Sequence, residues 1–100
     1  MSCSNKFWTD AYTLAYAGQF KKDLKRCKKR GLDLDPLHQV ITLLQKDGSL
    51  PAEYKAHTLS GQFPGCWECH IKPDWLLIWQ QDDKELTLLL LNTGTHSDLF

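Results

Sequence analysis

Residues 66–75 read C-W-E-C-H-I-K-P-D-W and contain the spacing C-x-x-C-H, in which two thiols attach haem and the following histidine ligates its iron. The same cysteines could supply two ligands of a zinc site. Both uses require Cys66 and Cys69 to lie on the same side of the chain. The segment therefore leaves three alternatives open: a small cytochrome, a metal site, or a segment in which the cysteines only pack.

Proton transfer is a second kind of chemistry that the chain could support. His57, His70, Asp74 and His96 suit it, because histidine titrates at about 6.5 and can both accept and donate a proton at neutral pH. Asp74 lies close to His70 in the chain, whereas His57 and His96 must be brought in from elsewhere. His38, on the polar side of a predicted helix, is assigned no role.

Length and composition limit what surrounds these residues. One hundred residues, 42% of them hydrophobic and 24% charged, make a single folded domain with one modest core. The sequence has no apolar run long enough for a signal peptide or a membrane helix, so we expect a cytoplasmic protein with reduced thiols, which disfavours covalent haem. The cysteines concerned are Cys3, Cys27, Cys66 and Cys69.

A strongly basic segment is concealed by the formal net charge of zero. Between residues 21 and 30, seven basic residues stand against the single acid Asp23, a net charge of +6, and the rest of the chain carries −6. Such a segment suits a polyanion, either RNA or an acidic protein segment, with a solvated helix face as the simpler alternative. The predicted polyanion-binding residues are Lys21, Lys22, Lys25, Arg26, Lys28 and Lys29.

Two helices are expected after a first strand at residues 12–17. Residues 18–30 carry an apolar stripe at helical spacing on an otherwise basic helix, which Gly31 ends. The second helix is predicted to have Asp35 as N-cap and Pro36 at its first position, and to end at Gly48. The apolar residues of the two helices are Phe20, Leu24, Cys27, Leu37, Val40, Ile41 and Leu44.

The second half of the chain is predicted to form the sheet. A long loop at residues 49–65 carries His57, and long ordered loops in small domains are frequently functional. Strands follow at residues 66–72, 75–80 and 85–92. The order β-α-α-β-β-β predicts an α+β fold in which two N-terminal helices pack on a largely antiparallel sheet.

The strand predicted at residues 66–72 determines in which direction the side chains of Cys66 and Cys69 point. Side chains alternate between the faces of a strand, so Cys66 and Cys69 point in opposite directions and cannot hold one haem or one zinc ion. We therefore predict no cofactor and no metal, with Cys69 as a small core residue and Cys66 as an incidental thiol. The same alternation places four side chains on one face: Cys66, Glu68, His70 and Lys72.

Three stretches of the sequence resemble a known protein family. They are Y-K-A-H-T-L-S-G, C-H-I-K-P-D-W-L-L-I-W and T-G-T-H-S-D-L-F. In this order and with these separations they are similar to the YafQ branch of the RelE/ParE toxin superfamily, the ribosome-dependent mRNA endonucleases of bacterial toxin-antitoxin systems. The resemblance covers about residues 12–100, so residues 1–11 are expected to be an N-terminal extension or an expression remnant.

The resemblance implies a microbial-RNase-like fold that cuts mRNA in the ribosomal decoding site. Cleavage by the neighbouring 2'-hydroxyl needs a base, an acid for the departing 5'-oxygen, and donors on the phosphate. The family positions imply His57 as base and His96 as acid, two roles that could be exchanged. His70 and Asp74 would orient the substrate and stabilise charge.

Further residues are expected to contact the substrate. The resemblance implies that Trp75 and Phe100 stack on mRNA bases, with packing as the alternative for both. Lys55 and Lys72 are candidates for positive charge at the phosphate. The implied partners are a cognate antitoxin, the ribosome and mRNA, without a membrane.

Two positions depart from the family pattern. Arginine is common where this chain has Trp67 and Asn92, and a guanidinium there could neutralise the phosphate. Because both arginines of the chain lie in the first helix, we expect weakened cleavage, which arginine at the two positions would raise. The alternative function is a catalytically weak or inactive homologue that binds antitoxin and ribosome. A toxin that acts on DNA gyrase fits less well, since it needs no acid-base cluster.

Overall fold

The computed structural model describes residues 12–61 and 63–100, which begin with a strand and two helices. Residues 1–11, with Cys3 and the predicted extension, lie outside the described residues. The later residues form most of the sheet and a short C-terminal helix. In chain order the elements are β1 (Thr13–Tyr16), α1 (Gly18–Lys29), α2 (Asp35–Asp47), a 3-10 turn (Ala52–Tyr54), β2 (His57–Thr58), β3 (Trp67–Lys72), β4 (Trp75–Asp82), β5 (Thr87–Gly94) and α3 (His96–Leu99).

The strands make one five-stranded sheet in the spatial order β1-β5-β4-β3-β2. All neighbouring strands are antiparallel except β1 and β5, which run parallel. The predicted α+β class and largely antiparallel sheet are therefore confirmed. β4 and β5 extend beyond their predicted ends, to Asp82 and Gly94, because their pairing continues on both sides of a bulge between Ile78 and Trp79.

The loop predicted at residues 49–65 contains a strand that the sequence does not reveal. β2 has only two residues, too few to show alternation, and it pairs with the edge of β3 so that His57 lies opposite Glu68. The 3-10 turn before it ends at Lys55, whose φ of 53° lies in the left-handed region. The pairing with β3 draws His57 onto the sheet.

Helices α1 and α2 follow their sequence signals with one exception. The predicted N-cap of α2 is wrong by one residue, because Leu34 is the N-cap and Asp35 is the first helical residue. The carboxylate of Asp33 accepts the backbone N–H of Asp35 at 3.0 Å and turns the chain one residue early. Gly48 ends α2 as predicted, at a φ of 68°. Among the described residues, no helix is long and apolar enough to cross a membrane.

Both helices pack on one face of the sheet and form the main core with it. Among the residues that the structure describes, Trp79 is the largest fully buried side chain. Burial of each large apolar side chain contributes about 1.5–3 kcal/mol to stability, so this face holds the fold together. The buried members of the main core are Phe20, Leu37, Val40, Ile41, Leu44, Cys69, Ile71, Trp75, Leu77, Trp79, Leu88 and Leu90.

A smaller apolar cluster lies on the opposite face and contains Cys66, Leu76, Ile78 and Leu99. Cys66 is only 5% exposed, so it is a packing residue and the prediction of an incidental thiol is wrong. Cys69 lies in the main core, as predicted, and the two thiols are on opposite faces of the sheet. Burial raises the pKa of the Cys69 thiol to about 12, so it stays protonated at neutral pH.

Candidate active site

The three candidate histidines collect at the face of the sheet that α1 and α2 leave uncovered. His57 in β2 lies opposite Glu68 in β3, and His70 follows Glu68 by two residues on the same face. His96 begins α3 at the end of β5, next to the strands that carry the others. The alternation predicted along β3 therefore places His70 towards the site.

His70, Asp74 and His96 form the first group at this site. The ring centroids of His70 and His96 are 6.2 Å apart. Nδ1 of His96 lies 3.8 Å from Oδ1 of Asp74 in the turn between β3 and β4, and both side chains are exposed. Within the described residues, Nε2 of His96 makes no hydrogen bond. A histidine with a carboxylate near one nitrogen and the other nitrogen open suits proton transfer.

His57 forms a second group with Glu68, a residue to which the sequence assigns no role. Nε2 of His57 lies 3.2 Å from Oε1 of Glu68, and Nδ1 lies 2.8 Å from the backbone carbonyl oxygen of Lys55. His57 is exposed, whereas Glu68 is buried. The signal that could have identified Glu68 is the face that it shares with His70, but the C-x-x-C-H spacing directs attention to the thiols.

The two candidate lysines lie at the same end of the sheet. Lys55 and Lys72 are exposed and line, with His70 and Glu53, an open groove of about 280 Å³. Each presents a mobile point charge that can approach a phosphate beside His70. Both remain candidates for substrate contact.

The two aromatic candidates differ in placement. Phe100 is 55% exposed, and its ring centroid lies 6.0 Å from that of His96 and 5.8 Å from that of Phe63. Trp75 is 6% exposed in the main core, and its indole N–H donates to Oγ1 of Thr93 at 2.9 Å. Phe100 therefore presents a ring beside the histidines, whereas Trp75 adopts the packing alternative.

The two positions where the family commonly has arginine do not face the histidines. Trp67 stacks on Trp79 of the main core, with ring centroids 6.2 Å apart and planes inclined by 14°. Asn92 donates its amide N–H to the buried carboxylate of Asp23 in α1 at 3.3 Å. Both side chains contact the helix side of the molecule, so the gain expected from arginine at these positions loses its geometric basis.

Helix α3 is attached to α1 through Asp98. Arg30 donates from both terminal nitrogens to this carboxylate, at 2.7 and 3.0 Å, and holds the pKa of Asp98 well below its usual range. Thr95 and Asp98 also form a reciprocal capping box. A Cβ at Gly94 would approach Nη2 of Arg26 to 2.7 Å and Oδ2 of Asp98 to 2.9 Å, so a larger residue there would have to displace these two side chains. We call Arg30, Asp98 and Thr95 the α3 anchor.

The basic segment of α1 has an internal and an external part. Arg26 lies 3.2 Å from Oδ1 of the buried Asp23 and donates to the carbonyl of Thr93 at 3.1 Å. Its predicted role in binding polyanions is therefore corrected, because its guanidinium serves internal contacts. The external residues are all exposed lysines, namely Lys21, Lys22, Lys25, Lys28 and Lys29.

Two helices on one face of a largely antiparallel sheet, with histidines and carboxylates on the other face, form the arrangement expected for a RelE-like toxin. The family described as "Bacterial toxin of type II toxin-antitoxin system, YafQ" matches residues 12–100. This chain belongs to the YafQ family, and the resemblance predicted from the three sequence motifs is confirmed.

Individual relatives agree with this assignment. The mRNA interferase toxin YafQ of Escherichia coli K12 is 42% identical over 88 residues, which are 87% of this chain and 94% of the relative. The E. coli DinJ-YafQ toxin-antitoxin complex contains a chain with a TM-score of 0.81 and 40% identity, covering 90% of this chain and 98% of that one. A metal-bound toxin from Helicobacter pylori has a TM-score of 0.80 and 42% identity, with coverage of 89% and 99%.

In residues 12–61 and 63–100, no three histidine, cysteine, aspartate or glutamate side chains lie close enough to hold a metal ion. Cys66 and Cys69 are separated by the sheet. The expectation of no cofactor and no metal stays a prediction.

Proposed function

We propose that this chain is the toxin of a type II toxin-antitoxin pair and acts as an endoribonuclease on mRNA. The observation that carries the proposal is the group of His70, Asp74 and His96 on the open face of the sheet, in a chain whose E. coli relatives are mRNA interferase toxins. In this proposal residues 12–100 are the toxin domain, and the protein acts in the cytoplasm, where translated mRNA is found.

The proposed reaction uses the 2'-hydroxyl next to the scissile phosphate as nucleophile. One histidine removes its proton and a second protonates the departing 5'-oxygen, so His57 and His96 divide the two roles. His70 and Asp74 orient the substrate between them. Such acid-base groups typically contribute about 10²–10⁴ in rate, which is why each should be essential.

Binding of the substrate is assigned to groups around the histidines. Lys55 and Lys72 supply positive charge beside His70 in the groove that they line. Phe100 offers an exposed ring next to His96, and stacking on a base contributes about 1–3 kcal/mol. Trp75 supports the site from the core beneath it.

The proposed partners are a cognate antitoxin and the ribosome with its mRNA. The DinJ-YafQ complex of a similar E. coli chain supports the antitoxin. The exposed lysines of α1 form a basic surface that suits ribosomal RNA or an acidic antitoxin segment. Dependence on the ribosome is part of the proposal, because the site is open and holds few groups to bind free RNA.

A catalytically weak or inactive homologue that binds antitoxin and ribosome is the second candidate. The observation that favours it is the engagement of Arg26 and Arg30 with Asp23, Thr93 and Asp98, which occupies their guanidinium groups with contacts inside the protein. Loss of one preorganised donor to a developing oxyanion typically lowers the rate by about 10²–10³. Lysine point charges replace such a fork only in part.

Cleavage of a translated message tests the proposal. In a reconstituted translation reaction, the parent should cut mRNA on the ribosome, and primer extension should locate the cuts. His96→Ala should reduce cutting by at least about 10²-fold, because it removes an acid-base group. His38→Ala is the matched control, since this histidine is exposed on α2 on the helix side of the sheet.

The outcomes separate the two candidates. Loss of cutting in His96→Ala but not in His38→Ala, with both variants folded, would support the endoribonuclease. A folded parent that binds ribosomes and antitoxin without cutting would support the binding module. Unchanged cutting in His57→Ala, His70→Ala and His96→Ala would contradict the acid-base assignment.

A further inference from the structure

The last residues of β5 lack a neighbouring strand on one edge within the described residues. β1 pairs with β5 only as far as Tyr16 opposite Leu90, and the chain then enters α1 at Gly18. β4 continues on the other edge of β5 as far as Gly94. An unpaired backbone N–H or C=O is unfavourable when it is buried. Thr93 lies in this stretch and is fully buried, so its backbone groups need partners from outside the sheet.

Two side chains of α1 supply these partners. The carboxylate of Asp23 accepts the backbone N–H of Thr93 at 3.1 Å, and Nη2 of Arg26 donates to the carbonyl oxygen of Thr93 at 3.1 Å. Asp23 and Arg26 are three residues apart on the helix, and Nη1 of Arg26 lies 3.2 Å from Oδ1 of Asp23. An acceptor and a donor held side by side are what a residue of a neighbouring strand would present. The pair therefore takes the place of a strand beside Thr93.

Stability alone does not account for this ion pair. Asp23 is fully buried, and apolar residues of similar volume are often as stabilising as a buried ion pair or more so. Apolar residues could not bond the backbone of Thr93. Asn92, also in β5, donates its side-chain N–H to the same carboxylate at 3.3 Å. What the charged pair adds to the fold is thus a fixed attachment of the end of β5 to α1.

Thr93 connects this attachment to the candidate active site. Its hydroxyl donates to the carbonyl oxygen of Leu76 in β4 at 2.8 Å. Leu76 stands two residues after Asp74, and Oδ1 of Asp74 lies 3.8 Å from Nδ1 of His96. Two residues separate Thr93 from His96, which begins α3. A displacement of Thr93 therefore moves the start of α3 relative to the turn between β3 and β4.

We infer that Asp23 and Arg26 are positioning residues of the candidate active site: through Thr93 they fix the end of β5, and with it His96, against the turn that carries Asp74. The inference rests on the proposed function. Both residues act from the helix side of the sheet, through the backbone of β5 and not through contact with RNA. Their replacement should therefore lower turnover and leave ribosome binding unchanged.

Arg26→Lys tests the inference, because it keeps a positive charge beside Asp23 and removes the planar group that binds Asp23 and Thr93 at the same time. Turnover on saturating ribosome-bound mRNA should fall by about 10-fold to 10²-fold, as expected when a catalytic group moves by up to about 1 Å.

Asp23→Asn should have a similar effect and leaves the α3 anchor in place. All partners of Asp23 are donors, and an amide has only one oxygen with which to accept. Gln19→Ala is the matched control. It removes a donor to the same carboxylate, at 2.9 Å, but leaves Thr93 bonded, so it should cut like the parent.

A measurement without RNA separates this inference from the proposed function. The ring centroids of His70 and His96 are 6.2 Å apart, so NMR of the free protein should detect contact between the two rings in the parent and in Gln19→Ala. This contact should weaken in Arg26→Lys and Asp23→Asn. If the parent never cuts mRNA but the two variants lose the ring contact, the proposed function fails and the positioning role stands.

Three results would overturn the inference. They are an intact ring contact in folded Arg26→Lys, turnover of this variant equal to that of an active parent, and its failure to fold, which would make the pair an element of stability. If Asp23→Asn alone does not fold, Arg26→Lys decides, since the side chain of Arg26 is 33% exposed and its replacement disturbs the core less.

Discussion

Trp75 belongs to the same sequence motif as His70 and Asp74, but its side chain packs in the core. It is buried and donates to Thr93, so Trp75→Phe should lower the free energy of unfolding by about 1–3 kcal/mol through loss of a buried hydrogen bond and part of a ring. Cleavage should persist wherever the variant is folded. Denaturant unfolding and the translation reaction measure the two quantities. A variant as stable as the parent that fails to cut would contradict the core assignment.

Substitution of Trp67 and Asn92 by arginine tests whether a guanidinium at these positions can raise cleavage. Trp67→Arg should not raise cleavage, because the side chain stacks on Trp79 away from the histidines, and it should lower the free energy of unfolding by about 1–3 kcal/mol. Asn92→Arg replaces a group that contacts Asp23 and should likewise bring no gain. Both are measured as initial cleavage rates. A gain of about 10-fold in either folded variant would show that a guanidinium reaches the phosphate after all.

Residue type and spacing predicted part of the site and missed the rest for a physical reason. Asp74 and His70 are close in the chain, and the motif containing His96 is specific, so their grouping was predictable. Glu68 and Trp75 were not, because burial and hydrogen bonding decide between packing and chemistry, and neither is visible in residue type.

The secondary-structure elements also divide into those that the sequence predicts and those that only the fold reveals. Strands β3, β4 and β5 have six to eight residues and enough alternation to be predicted, and α2 is bounded by clear signals. β2 escapes prediction because its two residues become a strand only by pairing with β3. The start of α2 is displaced by one residue because the Asx turn, in which the backbone N–H of Asp35 donates to the carboxylate of Asp33, makes Leu34 the N-cap, and residue type alone does not reveal this turn.

Helix α3 carries His96 and depends on the α3 anchor. Asp98→Asn removes the charge that Arg30 binds and weakens the capping box, so His96 should lose its fixed position. Cleavage should fall by about 10²-fold, as expected for displacement of a catalytic group by about 1 Å, while the sheet stays folded. Asp47→Asn, exposed at the end of α2, is the control. Full activity with a mobile Phe100 in NMR spectra would contradict this role.

Low pH should also release α3 from α1, because protonation of Asp98 removes the charge that Arg30 binds. Arg30 and the backbone N–H of Thr95 hold the pKa of Asp98 below its usual range. Such a carboxylate contributes stability that is complete above its unfolded pKa of about 3.9 and is lost as the pH falls through the lower folded value. Phe100 resonances should therefore report a docked α3 from neutral pH down to about 4 and its release below. Asp98→Asn should lack this transition, and release above pH 5 in the parent would assign it to another group.

The exposed lysines of α1 predict how ribosome binding depends on charge and salt. Lys22, Lys25 and Lys29 are exposed on α1, so reversing all three to glutamate should weaken ribosome association. The negative slope of log K against log salt should become shallower by about 3, near one for each lost phosphate contact. Binding at several salt concentrations gives this slope. Reversal of Lys46 and Lys84, which lie elsewhere, is the control. An unchanged slope would leave the lysines as solvated surface.

Cleavage of a modified message tests the central claim most directly, namely that this sheet face cuts mRNA through the neighbouring 2'-hydroxyl. After the cut position is mapped on a translated message, the same message is prepared with a single 2'-deoxynucleotide at the nucleotide 5' of the scissile phosphate. The parent should cut the unmodified message and fail on the modified one, because the nucleophile is absent, and it should leave a 2',3'-cyclic phosphate on the former. Equal cutting of both messages, or no cutting of either by the folded parent on the ribosome, would contradict the claim.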